Sequence, residues 1–381
     1  MALDPPTSDI SPAAAPLNQK LVVRALRKSY HDVVALAPTD LDVREGEFVT
    51  LLGPSGSGKT TLLMMVAGLL EPDGGDLWID GMKATYAPPW ERGIGMVFQS
   101  YALFPHLSVF ENIAFPLRMR RVGAAEIRRE VSRVLEIVQL PHVADRLPRA
   151  LSGGQQQRIA LARCIVFRPS IILMDEPLGA LDKKLRDQLQ LEIKQLHKQL
   201  GTTILYVTHD QQEALTMSDR ICLMNQGRIE QLGTPEEVYF RPRTVFAADF
   251  LGESNILDAT AVGEVGGFLE LRCNNSPGAP IRAPRPGHAL GRDVRIMIRP
   301  EQMLVGPPDG GAGNTLPGIL RETIFIGGTT RHHIGIEGGQ LLVSVQLTNP
   351  GAAPLRAGDK VNVTWPVLST IVLPAAPERR S

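Results

Sequence analysis

The sequence predicts an α/β domain with a mostly parallel sheet, followed by a separate all-β domain. Between Leu21 and about Arg241, short apolar runs alternate with stretches of helical spacing, which is typical of a parallel sheet covered by helices. A helix-rich insertion at about 100–168 interrupts that alternation. After about Thr244, short strand-like runs separated by Gly, Pro and Asn clusters replace it. The predicted organisation is a disordered Pro/Ala-rich tail at 1–19, a first domain at 20–241 and a second domain at 242–381.

The elements of the first domain follow from local patterns. The run 48–52 is an apolar strand that leads into a Gly-rich loop, and 60–70 is predicted to be the helix after that loop. The runs 171–174 and 203–207 are two further buried strands. Between them lies a helix whose apolar residues recur at helical spacing: Leu185, Leu189, Ile193, Leu196 and Leu200.

The insertion and the C-terminal region differ in their patterns. An amphipathic helix in the insertion is marked by Ile127, Val131, Val134, Leu135 and Val138. The C-terminal region instead holds strand-like runs at 268–273, 294–298, 340–346 and 360–365. Short strands bounded by turn residues favour a small β-barrel.

Composition excludes several classes of protein. The 381 residues carry 40 Lys and Arg against 40 Asp and Glu, so no basic domain suggests binding to nucleic acid. No run of about 18 apolar residues is present, so no segment is predicted to span a membrane. Three widely spaced cysteines are predicted to be small buried hydrophobic residues and not disulfides: Cys164, Cys222 and Cys273.

A phosphate-binding loop lies between the first predicted strand and helix. The segment Gly53–Thr60 matches G-x-x-x-x-G-K-[ST] in full. Glycines let successive backbone N–H groups point inward, and the helix N-terminus adds positive potential. Lys59 is expected to contact the β- and γ-phosphates, and the Thr60 hydroxyl to ligate Mg²⁺. The predicted nucleotide-binding residues here are Gly53, Pro54, Ser55, Gly56, Ser57, Gly58, Lys59, Thr60 and Thr61.

Two carboxylates end the strand at 171–174. Buried strand ends seldom carry bare acids, so Mg²⁺ is the expected partner of Asp175. Glu176 is then placed to act as general base on the attacking water. The alternative is a pair of solvated acids at a turn. His209 ends the next strand and would orient the γ-phosphate or the water, since phosphoryl transfer depends mainly on positioning and charge.

A second anion-binding motif occurs at Leu151–Gln155, where a hydroxyl and two glycines precede a helix predicted at 156–167. One nucleotide site rarely needs two helix N-termini. The simplest explanation is that two copies of the chain face each other and each caps the other's ATP. An ordinary Ser-capped helix is the alternative.

These motifs together resemble the ATP-binding-cassette (ABC) ATPase family over about residues 20–240. The resemblance rests on seven elements in the family's order: Tyr30, the loop 53–60, Gln99, the signature 151–155, Asp175 with Glu176, Asp182 and His209. It implies a P-loop NTPase fold with a RecA-like core and a helical subdomain, and it implies ATP and Mg²⁺ as cofactors.

The same resemblance implies roles for individual residues. Tyr30 would stack on adenine, and Gln99 would sense the γ-phosphate and Mg²⁺. Asp182 would communicate across a dimer of two chains. Gly179 departs from the family, many of whose members have Ser there, so a hydroxyl contact between subunits would be absent. The residues implied to bind the partner's ATP are Ser152, Gly153, Gly154 and Gln155.

The resemblance narrows to importer ATPases of the maltose and spermidine/putrescine type. The segment Tyr101–Phe110 is similar to the part that grips a helix of the membrane subunit; packing within the lobe is the alternative for its aromatic residues. The segments 298–301 and 325–330 resemble the transport-associated OB-like (TOBE) domain of these importers, and 246–255 resembles the linker before it.

This branch implies transmembrane permease subunits as partners, a substrate-binding protein as an indirect partner, and a place at the cytoplasmic face of the inner membrane. The resemblance favours polyamines as the solute, with ferric iron, sugars and other small solutes as alternatives. An exporter ATPase, or an ABC ATPase acting on DNA or ribosomes, is a rival reading. Long coiled-coil insertions, zinc modules and a second cassette, which the non-transport relatives tend to carry, are not visible in the sequence.

Overall fold

A computed structural model describes residues 19–179, 181–274, 280–286, 291–307, 313–351 and 355–375. The chain divides into two compact units, Met1–Pro235 and Glu236–Ser381. Nearly all of the predicted tail at 1–19 lies outside the described residues. Within them, no helix has the length and apolar character needed to cross a membrane.

The first unit alternates strands and helices as the sequence predicts. Its strands are β1 (Gln19–Tyr30), β2 (Val33–Arg44), β3 (Phe48–Leu52), β4 (Gly74–Ile79), β5 (Met82–Lys83), β6 (Ile94–Val97), β7 (Ile171–Asp175), β8 (Thr203–Thr208), β9 (Arg220–Asn225) and β10 (Arg228–Gly233). Its helices are α1 (Lys59–Ala67), α2 (Val109–Met119), α3 (Ala124–Ile137), α4 (Gly153–Ile165), α5 (Lys183–Leu200) and α6 (Gln211–Met217).

The central sheet of this unit has the strand order β10-β9-β3-β8-β7-β6. The strands from β9 to β6 are mutually parallel, and β10 joins the edge antiparallel, which confirms the predicted α/β class. In register, Leu52 pairs with Thr208, and Asp175 pairs with Val207. The ends of β3, β7 and β8 therefore meet at one edge of the sheet, and the loops that follow them lie together.

A second, antiparallel sheet with the order β2-β1-β4-β5 accompanies the central one and was not predicted. Its apolar residues share a core with one face of the central sheet and α1. The other face packs with the insertion, where the predicted positions from Ile127 to Leu135 on α3 are buried. The central sheet is thus covered on both faces, as a parallel sheet requires.

Two helix boundaries differ from the predictions. The predicted helix 60–70 is α1, which ends at Ala67 because Gly68 adopts a left-handed conformation with φ 77° and caps it. The helix predicted from 156 is α4 and begins at Gly153, since the Ser152 side chain caps it. Cys164, Cys222 and Cys273 are free and buried, as expected.

The second unit is built almost wholly of strands, which confirms the all-β, OB-like prediction. Two short helices, α7 (Pro235–Phe240) and α8 (Val245–Phe250), lie near its beginning, and neither was predicted because six residues are too few to show a helical period. The strands are β11 (Asn255–Val265), β12 (Phe268–Cys273), β13 (Ile281–Pro284), β14 (Asp293–Ile298), β15 (Leu304–Gly306), β16 (Asn314–Ile326), β17 (Thr329–Ile336), β18 (Leu341–Leu347), β19 (Lys360–Trp365) and β20 (Ile371–Pro374).

These strands form two sheets, with the orders β13-β12-β11-β14-β20 and β15-β19-β16-β17-β18. Both sheets contribute to one core in which Trp365 is 1% exposed. The indole N–H of Trp365 donates to Thr370 Oγ1 at 2.9 Å, so the buried polar atom of this large side chain is satisfied.

Candidate nucleotide-binding site

The phosphate loop follows β3 directly and ends where α1 begins. Gly56 and Gly58 have φ values of 77° and 96°, a region that favours glycine. Gly53 also lies too close to backbone for a side chain, because a Cβ there would meet the Met224 carbonyl oxygen at 2.2 Å. The two glycines of the motif, Gly53 and Gly58, and Gly56 between them are therefore favoured by the curl of the loop.

Replacing Gly58 with alanine is expected to destabilise the protein. The new Cβ would lie 2.7 Å from the Ala35 carbonyl oxygen, and the positive φ would add strain. Such strain costs about 1–3 kcal/mol. Thermal unfolding should show a lower midpoint than the native chain. The matched control is Gly56→Ala, which has a positive φ but no atom within 4 Å of the new Cβ and should lose less stability.

Lys59 lies beneath this loop, with only 5% of the residue exposed. Its Nζ donates to the carbonyl oxygens of Gly53 and Pro54, each at 2.8 Å. Burial lowers the pKa of the Lys59 ammonium, whereas the carboxylates of Glu176 and Asp175 oppose that shift. The cation is thus enclosed by the residues that would surround a bound phosphate.

The end of β7 meets the first turn of α1. The Thr60 hydroxyl donates to Asp175 Oδ1 at 3.2 Å. Burial raises the pKa of the Asp175 carboxyl; the Thr60 hydrogen bond and Lys59 oppose the rise, while Glu176 adds to it. A cation beside Asp175 would relieve this unfavourable burial of charge.

The residues fit Mg²⁺, which prefers hard oxygen ligands and keeps waters and substrate phosphates in its shell. A hydroxyl and a carboxylate oxygen already lie within hydrogen-bond distance here. Among the described residues, no group of three or more His, Cys, Asp or Glu side chains could hold a metal alone. The predicted pair, Thr60 and Asp175, thus suits an ion that shares its shell with a nucleotide.

Glu176 follows Asp175 and is held by the neighbouring strand. Its backbone N–H donates to the Val207 carbonyl at 3.0 Å, and its φ is 44°, an uncommon value outside glycine. His209 Nδ1 lies 3.2 Å from Glu176 Oε2. The strand ends therefore bring together Glu176 and His209, two of the three residues predicted to be catalytic; Gln99 is the third.

Gln99 is exposed and lies two residues after β6, which is the edge strand beside β7. A Cβ built on Gly179 would lie 3.6 Å from the Glu176 carbonyl and 3.9 Å from Gln99 Nε2. The segment after Glu176 thus runs beside the Gln99 side chain. This agrees with the expected position of Gln99 near the reacting phosphate, although its role stays a prediction.

Replacing Gly179 with serine is expected to leave folding intact. No atom lies closer than 3.6 Å to the new Cβ, and the φ of Gly179 lies outside the region that favours glycine. Stability should change by about 0.5 kcal/mol or less, as for other surface substitutions. Chemical denaturation measures this, and a loss of several kcal/mol would contradict the open position assigned to Gly179.

Tyr30 ends β1, and 48% of the residue is exposed. Lys28 Nζ lies 5.7 Å from the centre of its ring. The exposed face has room to stack on a planar ligand, and its role in binding adenine stays a prediction.

Tyr101, in the segment predicted to form a groove, is only 7% exposed and belongs to the core of the insertion. Tyr101 therefore packs within the lobe and does not line a groove.

The signature residues lie at the N-terminus of α4. Ser152 Oγ accepts from the Gln155 N–H at 3.3 Å, and the Gln155 side chain accepts from the Ser152 N–H at 3.0 Å. This reciprocal capping fixes the loop. Ser152 and Gly153 are exposed, whereas Gly154 is buried against Leu185, whose Cδ1 would lie 3.1 Å from an added Cβ.

Asp182 is exposed and caps α5, since its Oδ1 accepts from the Leu185 N–H at 3.0 Å. In the described part of the chain, no hydrogen bond or ion pair joins Ser152 or Asp182 to the phosphate loop. One copy of the chain thus brings together the loop, Asp175, Glu176 and His209, but leaves the signature outside this group.

Sequence reasoning missed a buried polar cluster behind His209. Its members are Arg186, Tyr206, Thr208, Asp210 and Glu213. One signal was available, because Asp210 is followed by Glu213 at the spacing of a helix N-terminal cap.

The fold and this site define an ATPase of the ABC class. The ABC transporter family model matches residues 36–179, and the TOBE domain model matches residues 296–373. The chain belongs to the ATP-binding proteins of ABC transporters that carry a C-terminal TOBE domain.

Two relatives show how far the similarity extends. The chain is 44% identical over 365 residues to the "Spermidine/putrescine import ATP-binding protein PotA" of Thermobifida fusca, covering 95% of this chain and 94% of the relative. It is also 44% identical over 366 residues to the protein of that name from Ruegeria pomeroyi, covering 95% and 97%.

A solved ABC cassette, MJ0796, is similar to the first unit. Its dimeric structure has a TM-score of 0.51 and 35% identity, covering 56% of this chain and 98% of that one. A second dimeric structure of MJ0796, described as a post-hydrolysis state bound to ADP and Pi, has a TM-score of 0.51 and 33% identity, covering the same shares.

Proposed function

We propose that two copies of this chain clamp ATP and Mg²⁺ at a shared interface, and that hydrolysis drives a polyamine importer. The observation that carries the ATPase part is the meeting of the Thr60–Asp175 pair with the Glu176–His209 pair at adjacent strand ends. One pair suits a magnesium-bound phosphate, and the other suits an attacking water.

The residues of one copy divide this work. Lys59 and the backbone of the phosphate loop bind the β- and γ-phosphates, and Tyr30 stacks on the adenine. Thr60, Asp175 and Gln99 hold Mg²⁺, which when bound neutralises charge on the phosphates. Glu176 accepts a proton from the water, and His209 orients Glu176 and the γ-phosphate.

The second copy supplies the signature. In one chain the exposed helix N-terminus at Ser152 makes no hydrogen bond to the phosphate loop among the described residues, although such a terminus attracts anions. We assign it to the ATP of the other copy, with Asp182 beside it. The dimeric structures of MJ0796 support this arrangement.

Trapping the dimer tests this clamp. With Glu176→Gln present to slow hydrolysis, ATP and Mg²⁺ should double the mass measured by light scattering from 41.5 kDa. Adding Ser152→Glu should prevent the doubling, because a carboxylate would face the γ-phosphate. Ser132→Glu, a change at an exposed serine on α3 of the insertion, is the control and should leave the dimer intact. A dimer that forms regardless of residue 152 would refute the clamp.

The importer and its solute rest on the relatives, whose names specify spermidine and putrescine import. We infer that permease subunits bind this chain at the inner face of the membrane, and that a substrate-binding protein presents the solute from outside. Closure of the ATP-bound dimer would then shift the permease between inward- and outward-facing states, because ATP binds the closed state better.

Reconstitution identifies the solute. The complete complex in liposomes, with its binding protein loaded with spermidine, should hydrolyse ATP faster than with unloaded protein. Ferric iron and a sugar are the comparison solutes. Stimulation by iron or sugar and none by spermidine would replace the polyamine assignment and leave the ATPase intact.

A further inference from the structure

A buried polar cluster lies behind His209 and has no assigned part in binding ATP. Glu213 is 2% exposed and accepts from the Tyr206 hydroxyl at 2.8 Å and from the Thr208 hydroxyl at 2.7 Å. Burial raises the pKa of the Glu213 carboxyl, and these two hydrogen bonds oppose the rise. The cluster fixes the residue before His209.

The residue after His209 is fixed by the same cluster. The Asp210 N–H donates to Thr208 Oγ1 at 3.0 Å. Asp210 Oδ1 accepts from the Gln212 and Glu213 N–H groups, at 2.8 and 3.2 Å, and so caps α6. His209 itself is 59% exposed, so its position depends on these two neighbours more than on packing of its own ring.

Arg186 links this cluster to the segment that leads into Asp182. Its Nη1 lies 3.1 Å from Asp210 Oδ2, and its Nη2 donates to the Leu181 carbonyl at 3.0 Å. Its backbone N–H donates to the Asp182 carbonyl at 2.9 Å, in the first turn of α5. One planar guanidinium therefore joins the segment after Glu176 to the segment that carries His209.

The contact with Glu213 is weaker. Arg186 Nε lies 3.9 Å from Glu213 Oε1 and, buried, has no hydrogen-bond partner within the described chain.

We propose that Arg186 is a positioning residue that holds His209 on Glu176 and that conveys the partner's contact at Asp182 to His209. This rests on the proposed clamp for its second half. The first half needs only one chain, because the links from Leu181 to Asp210 and from Asp210 to Thr208 are internal.

Arg186→Gln should lower turnover by about 10- to 100-fold, since small misplacements of catalytic groups have effects of that size. The KM for ATP should change by less than about twofold, because Arg186 does not touch the phosphate loop. Arg186→Lys keeps a positive charge and one of the two hydrogen-bonding groups. Its turnover should lie between that of the native protein and that of Arg186→Gln. If Arg186→Gln does not fold, Arg186→Lys carries the same test.

A matched control is Arg220→Gln. Arg220 also forms a partly buried ion pair, with Glu47 at 3.2 Å, but at the start of β9 and away from the strand ends that form the site. The Arg220→Gln variant should be less stable than the native protein, but its folded fraction should hydrolyse ATP at close to the native rate.

A double-mutant cycle with His209→Ala distinguishes positioning from a structural role. If Arg186 acts through His209, adding Arg186→Gln to His209→Ala should cost less than about twofold in single-turnover hydrolysis. If the two substitutions instead lower the hydrolysis rate independently, so that the fold losses of the single variants multiply in the double variant, the proposal is wrong. This outcome is separate from the dimer test with Ser152→Glu, so each idea can fail alone.

Discussion

Replacing Glu176 with glutamine is expected to lower ATP turnover by about 10²–10⁴-fold, the size of a general-base effect. The amide keeps the shape of the side chain and can still contact His209, which lies 3.2 Å from Oε2. It cannot accept a proton from water. ATP should bind as before, because the phosphate loop and Lys59 are unchanged. Phosphate release measures turnover, and equilibrium titration measures binding.

The control for this prediction is Glu130→Gln on α3. Like Glu176, Glu130 is a partly exposed carboxylate; it pairs with Arg133 at 2.8 Å and lies on α3 of the insertion, not at a strand end. Its turnover should stay within about twofold of the native value. Native turnover in Glu176→Gln would assign the base elsewhere, and His209 would be the next residue to replace.

Much of the fold could be read from the sequence because buried parallel strands and amphipathic helices have distinct periods. The strand predicted at 203–207 differs from β8 by one residue. The phosphate loop was equally clear, since its motif occupies eight consecutive residues between a strand and a helix. Local rules suffice where the determining contacts are local.

What could not be predicted depends on contacts between distant segments. The antiparallel sheet formed by β1, β2, β4 and β5 pairs strands whose alternation is broken by register shifts. Arg186 escaped notice because its partners, Leu181 and Asp210, are identified only by the fold. The burial of Tyr101 likewise depends on how the insertion packs. The sequence alone could not show whether this aromatic residue lines a groove or belongs to the core.

Replacing Lys59 with alanine is expected to weaken ATP binding itself. Only 5% of Lys59 is exposed, and its ammonium donates to the loop carbonyls, so the phosphate charge would lose a partner that water cannot readily replace. Removing one member of such a buried charge pair costs about 2–5 kcal/mol. At about 1.4 kcal/mol for each tenfold change, the Kd for ATP should rise by at least about 30-fold. Isothermal titration with ATP and Mg²⁺ measures the change.

A second measurement separates the loss of a phosphate ligand from the loss of loop support. Lys59 also donates to Gly53 and Pro54, so the substitution could loosen the loop without any direct effect on ATP. If only a phosphate ligand is lost, the free protein keeps its melting temperature, and only the increase in melting temperature produced by saturating ATP disappears. In the second case the free protein already melts lower. Lys20→Ala, which removes an ion pair with Asp80 in the other sheet, is the control and should retain the full rise with ATP. A normal rise in Lys59→Ala would show that the backbone N–H groups and the helix N-terminus alone bind the phosphates.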